Sequence, residues 1–228
     1  MANGISVVIA TFNEKENIEK TILSIRKVLQ SIAHEVIVVD DGSQDGTIDI
    51  AVNFADLAIS KRHEGQTISL LYGMRLAKYP IIVTIDADME NNPKYITTLA
   101  KQTSRFDIVV ASRTKLPRIS EKIASKTLGR MLGITDVFSN FRAYRKEIIS
   151  MFDNEKGENF GSNFLMVAMK KRLKISEIMY EPSQRRSIPR IGGAFKANLR
   201  IFFVLFKLLI INKLSPLLKS KRNKFRFF

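Results

Sequence analysis

The segment Ile81-Ile82-Val83-Thr84-Ile85-Asp86-Ala87-Asp88 is an apolar run that ends in two carboxylates. Five successive apolar or β-branched residues predict a strand that is buried on both faces, as in a parallel sheet. Ligands bind beyond the carboxyl ends of such strands. Asp86 and Asp88, with Glu90 two residues further on, supply the oxygen donors that Mg²⁺ or Mn²⁺ shares with diphosphate oxygens. Alternatively, Asp86-Ala87-Asp88 is simply a polar turn, and the motif alone does not distinguish the two.

Two earlier apolar runs also end in polar motifs. Residues 5–10 lead into Thr11-Phe12-Asn13-Glu14, and residues 35–40 lead into Asp40-Asp41-Gly42-Ser43. An aromatic ring at a strand end can stack on a nucleoside, and an acid there can accept hydrogen bonds from a base or a ribose hydroxyl. The alternative is that these residues only cap the following helices, with Phe12 in the core.

Helical periodicity separates the apolar runs. Ile18, Ile22, Ile25 and Leu29 recur at helical spacing within residues 15–30. The further predicted helices cover residues 47–53, 65–78, 93–102, 119–132 and 158–171, and the further predicted strands cover residues 107–111, 141–144 and 174–180. Strands that alternate with helices predict an α/β fold with a parallel sheet. We expect one domain over residues 1–193 and a basic segment over residues 194–228.

Six motifs follow one another along the chain: Ala10-Thr11-Phe12-Asn13-Glu14, Val39-Asp40-Asp41-Gly42-Ser43-Gln44-Asp45-Gly46-Thr47, Asp86-Ala87-Asp88, Ala111-Ser112-Arg113, Asn140-Phe141-Arg142-Ala143-Tyr144-Arg145, and Glu177 with Arg185 and Arg190-Ile191-Gly192-Gly193. Together they resemble the motifs of family 2 inverting glycosyltransferases over about residues 5–193. Within that family the chain looks like the dolichol-phosphate mannosyltransferases and polyprenyl-phosphate glycosyltransferases. The resemblance implies a GT-A fold, which is a Rossmann-like mixed sheet flanked by helices, with a C-terminal amphipathic helix added.

The resemblance also implies roles for individual residues. The residues expected to line the nucleoside pocket are Ala10, Phe12, Glu14, Val39 and Asp41. Asp86 and Asp88 would hold the metal and the ribose-diphosphate, with Ala87 contributing its backbone. Arg113 would reach the donor or acceptor phosphate, and Arg185 and Arg190 would close over the diphosphate, where cations neutralise the leaving group. The expected catalytic residues are Asp88, Arg113 and Arg185.

Some positions depart from the family pattern. Ala10 and Phe12 stand where the family usually has Pro and Tyr, and Glu90 stands where an amide or polar residue is common. Asn140 replaces the glycine of a Ser-Gly-Phe-Arg element, and Asn163 occupies a helix position that is often acidic. GDP-mannose is the donor that we favour for this chain, while Ala10 and Phe12 leave the choice of base, guanine or uracil, open.

Two missing motifs bear on the acceptor. The chain has no Trp, and therefore lacks the Gln-x-x-Arg-Trp motif of processive synthases, and it has no evident Glu-Asp base motif. A hydroxyl acceptor needs a general base, whereas a phosphate is already anionic and needs cations to position it. Arg113, Arg130, Arg142 and Arg145 are candidates for that task, although an ordinary solvated cation is the commoner explanation for any one of them taken alone.

The expected function is therefore metal-dependent, inverting transfer of a single hexose from a nucleoside-diphosphate sugar to a polyprenyl or dolichyl phosphate. The alternative within the same class is transfer from a UDP-sugar to a lipid or glycan hydroxyl. His34 and His63 have no metal-ligand spacing and are expected to be structural or surface residues.

Positive charge is concentrated at the end of the chain. The net charge is +15, and residues 182–228 contain 12 Lys and Arg but no Asp or Glu. Residues 194–214 predict an apolar helix with a stripe of Lys196, Arg200 and Lys207, which favours lying in a membrane interface over spanning it. Residues 219–228 mix cations with aromatic residues and would bind anionic headgroups.

These features predict a peripheral protein at the cytoplasmic face of a membrane, and no signal peptide is evident. The alternatives are a helix packed on the domain with a disordered tail, or docking onto a membrane-spanning partner subunit. A hypothesis from a different functional class is that the chain binds nucleic acid. However, the positive charge lies outside the domain that carries the motifs, and no known nucleic-acid-binding motif is present. We therefore expect no nucleic-acid partner.

Overall fold

The computed structural model describes residues 4–152 and 162–182, which form a seven-stranded mixed sheet with helices on both faces. The strands are β1 (Ile5–Thr11), β2 (His34–Asp40), β3 (Leu57–Ser60), β4 (Ile81–Thr84), β5 (Ile108–Arg113), β6 (Arg142–Arg145) and β7 (Ile175–Tyr180). Their order in the sheet is β3-β2-β1-β4-β6-β5-β7. All seven residues of β1 are buried, because the strand is central and covered on both faces.

The helices alternate with the strands along the chain. They are α1 (Ile18–Leu29), α2 (Thr47–Phe54), α3 (Gln66–Leu76), α4 (Ile96–Gln102), α5 (Ile119–Ala124), α6 (Arg130–Leu132) and α7 (Ser162–Lys170). A 3₁₀ turn, Pro93–Tyr95, leads into α4, a π-helical segment, Ser125–Gly129, joins α5 to α6, and a 3₁₀ helix, Lys146–Phe152, follows β6.

Strand direction divides the sheet. The strands β3, β2, β1 and β4 are parallel to one another, whereas β6 runs antiparallel to both β4 and β5, and β7 is parallel to β5. The prediction of a wholly parallel sheet from the apolar runs was therefore wrong, because burial on both faces carries no information about direction. The mixed sheet implied by the family resemblance is confirmed.

Helix α3 packs unusually close to the sheet. At Gly73 a Cβ atom would lie 2.5 Å from Val8 Cγ1 and 3.0 Å from Val39 Cγ2, so only glycine fits without displacing its neighbours. This contact fixes α3 against β1 and β2. The first residue of the helix, Gln66, consequently lies beside the acidic residues that follow β4.

Most predicted elements are present with small shifts in their ends. The strand β3 was missed, because none of its four residues is fully buried and they give no long apolar run. The predicted helix 119–132 is interrupted by the π-helical segment. The beginning of the predicted helix 158–171, the late arginines Arg185 and Arg190, and the whole basic segment 194–228 lie outside the described residues. Within residues 4–152 and 162–182, no helix combines the length and apolar character needed to cross a bilayer.

Candidate active site

The three acidic motifs meet at one edge of the sheet. Thr11 is aligned with Asp40 where β1 and β2 end, and the backbone N–H of Asp41 donates to Thr11 O over 2.8 Å. The N–H of Ile85 donates to Val8 O over 3.1 Å, which places Asp86 beside the end of β1. The carboxyl ends of β1, β2 and β4 therefore present their polar residues together.

Hydrogen bonds join the loop after β1 to the loop after β2. Asn13 N–H donates to Ser43 Oγ over 2.8 Å, and Gln44 N–H donates back to Asn13 Oδ1 over 2.9 Å. Glu14 N–H donates to Thr47 Oγ1 over 2.8 Å. Asn13 adopts a left-handed backbone with φ of 54°, a conformation that Asn tolerates better than most residues. The two loops therefore form one connected wall of the site.

Asp40 is used structurally. Its fully buried carboxylate accepts hydrogen bonds from Thr11 Oγ1 at 3.1 Å, Ser43 N–H at 3.0 Å and Ser60 Oγ at 3.1 Å. The Ser43 hydroxyl donates to it as well. These bonds hold β1, β3 and the loop after β2 to the end of β2.

Asp41 organises the loop over residues 61–65. Its carboxylate is 4% exposed and lies 2.6 Å from Lys61 Nζ. It also accepts bonds from the N–H groups of Glu64 and Gly65, at 3.0 and 2.8 Å, and from Ser69 Oγ at 3.0 Å. Burial alone would raise the pKa of Asp41, but these donors, Lys61 foremost, lower it below its ordinary value.

The loop held by Asp41 carries an aromatic contact that the sequence did not reveal. The ring of His63 lies 4.6 Å from that of Phe12, centroid to centroid, and Phe12 is 40% exposed. Ala10 and Val39 are aligned on neighbouring strands and buried in the core cluster that includes Leu70 and Met74 of α3. Partly exposed aromatic rings at the end of a strand suit stacking on a planar base. The side chain of Glu14 accepts a bond from Asn17 Nδ2 over 2.9 Å at the start of α1.

The two carboxylates that follow β4 lie in a fixed turn. Asp86 accepts hydrogen bonds from Gln66 Nε2 at 2.7 Å and Asn91 Nδ2 at 3.1 Å. Asp88 Oδ1 accepts from Glu90 N–H at 3.1 Å, and the carbonyl of Ala87 accepts from Thr21 Oγ1 at 3.0 Å. Burial, followed by repulsion from Asp88, raises the pKa of Asp86 well above its ordinary value.

This arrangement fits a divalent cation that is shared with a ligand. Within the described parts of the chain, no three acidic or histidine side chains are grouped closely enough to hold a metal by themselves, and the role of Glu90 as a third ligand stays a prediction. Asp86 and Asp88 nevertheless repel each other, and a cation between them would relieve that repulsion. Mg²⁺ in particular is commonly held by one or two carboxylates together with substrate phosphates.

The arginines expected to contact phosphate do not all lie at the edge of the sheet that carries the acidic motifs. Arg113, at the end of β5, donates from Nε to Asp136 Oδ2 over 2.5 Å and lies 3.5 Å from Glu121 Oε1. Burial would lower the pKa of Arg113, but Asp136 and Glu121 raise it above its ordinary value. Arg142 is fully buried and aligned with Thr84, two residues before Asp86, and its Nη2 donates to Val137 O over 3.1 Å.

The other two arginines lie elsewhere. Arg145 is aligned with Ile81 at the amino end of β4, away from Asp86, and its guanidinium donates to the carbonyl oxygens of Thr103 and Ser104. It lines a groove of about 980 Å³ at that opposite edge. Arg130 is exposed on α6. The structure thus brings Arg113 and Arg142, but not Arg145, to the edge that carries the acidic motifs.

Curated relatives include undecaprenyl-phosphate 4-deoxy-4-formamido-L-arabinose transferases from Pectobacterium atrosepticum, 31% identical over 165 residues, and Proteus mirabilis, 32% identical over 166 residues. Each alignment covers 64% of this chain and 50% of the relative, so the chain spans about half the length of the curated relatives it matches.

Solved structures show the same fold. Glucosyl-3-phosphoglycerate synthase from Mycobacterium tuberculosis, in complex with Mn²⁺, UDP and glucosyl-3-phosphoglycerate, matches with a TM-score of 0.73 at 19% identity, covering 90% of this chain and 80% of that one. Mannosyl-3-phosphoglycerate synthase from Rubrobacter xylanophilus matches with a TM-score of 0.71 at 14% identity, covering 93% and 74%. The GT-A fold expected from the sequence is confirmed. The family model for glycosyl transferase family 2 matches residues 6–168, and the chain belongs to that family.

Proposed function

We propose that this chain transfers a single hexose, with inversion, from a nucleoside-diphosphate sugar to a polyprenyl phosphate. The observation that carries the proposal is the Asp86/Asp88 pair, which lies beside the joined loops of β1 and β2 at one edge of the sheet. The curated relatives are undecaprenyl-phosphate transferases by name, which supports a polyprenyl phosphate as acceptor. The family resemblance favours GDP-mannose as the donor. It also favours dolichyl phosphate as one form of the polyprenyl phosphate acceptor.

The donor would lie along the edge of the sheet from the ring pair to the carboxylates. Phe12 and His63 offer faces for the base, and Asp86 and Asp88 would hold a Mg²⁺ or Mn²⁺ that binds the diphosphate. The bound cation supplies charge stabilisation for the departing nucleoside diphosphate. Solved structures of this fold that contain Mn²⁺ with UDP support that assignment.

The acceptor would approach from the side of β6 and β5. A phosphate oxygen attacks the anomeric carbon as the bond to the diphosphate oxygen breaks on the opposite face, which inverts the centre. The attacking phosphate is already an anion, so the site needs cations rather than a general base. Arg142 lies at this edge, Arg113 lies at the end of β5, and Arg130, Arg185 and Arg190 are further candidates for the phosphates.

The chain's basic segment suits an acceptor that resides in a membrane. Residues 194–228 follow the catalytic domain, taken as residues 1–193, and are rich in cations and apolar residues. We propose that this segment attaches the protein to the anionic cytoplasmic face of a membrane, either directly or by docking onto a membrane-spanning partner subunit.

The proposal is tested by transfer assays on the full chain. Radiolabelled GDP-mannose, UDP-glucose and UDP-N-acetylglucosamine are each incubated with Mn²⁺ and a short polyprenyl phosphate, or with the matching polyprenol. Label in the lipid fraction with the phosphate alone, lost in Asp88→Ala, is the expected result. Transfer to the polyprenol would favour a hydroxyl acceptor, and no transfer from any donor in the presence of either acceptor would contradict the proposal.

A further inference from the structure

Two chains of side-chain hydrogen bonds hold Asp86, one on each carboxylate oxygen. In the first, Asn140 Nδ2 donates to Gln66 Oε1 over 3.0 Å, and Gln66 Nε2 donates to Asp86 Oδ1 over 2.7 Å. In the second, the hydroxyl of Tyr180 donates to Asn91 Oδ1, and Asn91 Nδ2 donates to Asp86 Oδ2 over 3.1 Å. Three of these four contacts join residues at least 20 positions apart in the sequence, and none of the four partners was a candidate site residue.

The direction of each chain follows from the chemistry of its members. When Asp86 is ionised, as cation binding requires, its carboxylate only accepts hydrogen bonds, so the amide nitrogens of Gln66 and Asn91 face Asp86. Their amide oxygens then face away and need donors, which Asn140 and Tyr180 supply. Without those donors, either amide could turn over and present its oxygen to the carboxylate, where like partial charges repel. The outer residue of each chain therefore fixes the amide that contacts Asp86.

The two chains differ in exposure to solvent. Tyr180 and Asn91 are buried, and the Tyr180 ring packs edge-on against Tyr95 and Phe141 at 5.5 and 5.8 Å between centroids. Gln66 is exposed, so water competes for its hydrogen bonds. A buried amide oxygen that loses its donor has no such substitute. The chain through Tyr180 should therefore have the larger effect on Asp86.

We propose that Tyr180 and Asn140 are positioning residues, which set the affinity for the divalent cation by holding Asp86 in one orientation. Each hydrogen bond occupies one lone pair of a carboxylate oxygen, so each oxygen keeps another for a cation. Partners that orient a metal-binding side chain commonly change metal affinity 10- to 100-fold when they are removed. The inference rests on the proposed function, in which Asp86 and Asp88 hold the metal and the diphosphate.

The test measures Mn²⁺ binding to the full chain, from the loss of the free Mn²⁺ signal in electron paramagnetic resonance, with saturating UDP and, separately, GDP. Tyr180→Phe removes only the hydroxyl and should weaken Mn²⁺ binding at least about tenfold. Asn140→Ala should weaken it less, by about threefold, because its chain is more exposed. Tyr95→Phe is the matched control, since it removes the hydroxyl of the neighbouring ring, and it should bind like the wild type.

A second readout separates positioning from folding. Tyr180→Phe should keep a cooperative thermal transition, and excess Mn²⁺ should restore its nucleotide binding. Wild-type Mn²⁺ affinity in both Tyr180→Phe and Asn140→Ala overturns the inference, while the proposed function stands if the wild type still transfers sugar. A loss equal in Tyr95→Phe and Tyr180→Phe also overturns it. A wild-type chain that binds no Mn²⁺ with either nucleotide contradicts both proposals.

Discussion

Lys61 Nζ lies 2.6 Å from Asp41 Oδ1, and the two side chains are 13% and 4% exposed. Removing one member of a buried ion pair leaves the other charge without compensation, which usually costs about 3–5 kcal/mol. Asn at position 41 keeps the shape and some hydrogen bonds. We therefore expect Asp41→Asn to lower the free energy of unfolding at pH 7 by about 2–3 kcal/mol, measured by urea denaturation. Asp49→Asn, on the exposed first turn of α2, should cost less than about 1 kcal/mol. An equal effect of the two substitutions would contradict this account of Asp41.

The same carboxylate should give stability a defined pH dependence. The pKa of Asp41 is lower in the folded chain than its ordinary value of 3.8, so its contribution is present above that value and is lost as pH falls through the folded pKa. The difference in unfolding free energy between the wild type and Asp41→Asn should shrink as pH falls below about 4, where the Asp41 carboxylate takes up its proton. Denaturation at a series of pH values measures it, and a difference that grows towards acid pH would refute the assignment.

Gly73 gives a second stability prediction, at the contact between α3 and the sheet. A Cβ there would lie 2.5 Å from Val8 Cγ1, and such overpacking costs about 1–3 kcal/mol. The higher helix propensity of Ala offsets about 1 kcal/mol of that loss. We expect Gly73→Ala to lower the melting temperature measured by calorimetry, whereas Tyr72→Ala, on the exposed side of α3, should have little effect. A Gly73→Ala chain as stable as the wild type would show that α3 can move away from the sheet.

Phe12 gives a prediction about binding. Its ring is 40% exposed and 4.6 Å from that of His63, so it should stack on the donor's base. Base stacking on an aromatic side chain contributes about 1–3 kcal/mol. Phe12→Ala should therefore weaken nucleotide binding in the presence of Mn²⁺ by about 5- to 150-fold in titration calorimetry. Phe12→Tyr preserves the ring and should bind nearly normally. Unchanged affinity in Phe12→Ala would place the base elsewhere.

Much of the fold could be predicted because its strands are long apolar runs. The predicted strand 5–10 lies within β1, and the predicted strand 81–85 covers β4 and one residue after it. Strands that are covered on both faces need apolar side chains at nearly every position, which makes them visible in the sequence. The strand β3 could not be predicted because Leu57–Ser60 is short, lies at the edge of the sheet and is partly exposed. The antiparallel direction of β6 could not be predicted because a buried strand has the same composition in either direction.

The site residues likewise fall into two groups: those that can be predicted from their neighbours in the sequence, and those whose role depends on contacts made by the fold. Asp86 and Asp88 could be found because they are adjacent to a strand in the sequence. Gln66 and Tyr180 could not, because their importance arises only when the fold brings residue 66 to Asp86 and residue 180 to Asn91. His63 was expected to be structural or a surface residue, and its contact with Phe12 joins residues 51 positions apart in a loop with no periodic signal.

The hydrogen bonds between the loops after β1 and β2 limit how these loops can change in evolution and in protein engineering. Asn13 N–H bonds to Ser43, and Glu14 N–H bonds to Thr47, so the spacing of one loop is matched to that of the other. An insertion in either loop would break contacts in both, and such changes should survive only in pairs. A donor preference transplanted from another glycosyltransferase should therefore require exchange of residues 11–15 and 41–47 as a single unit.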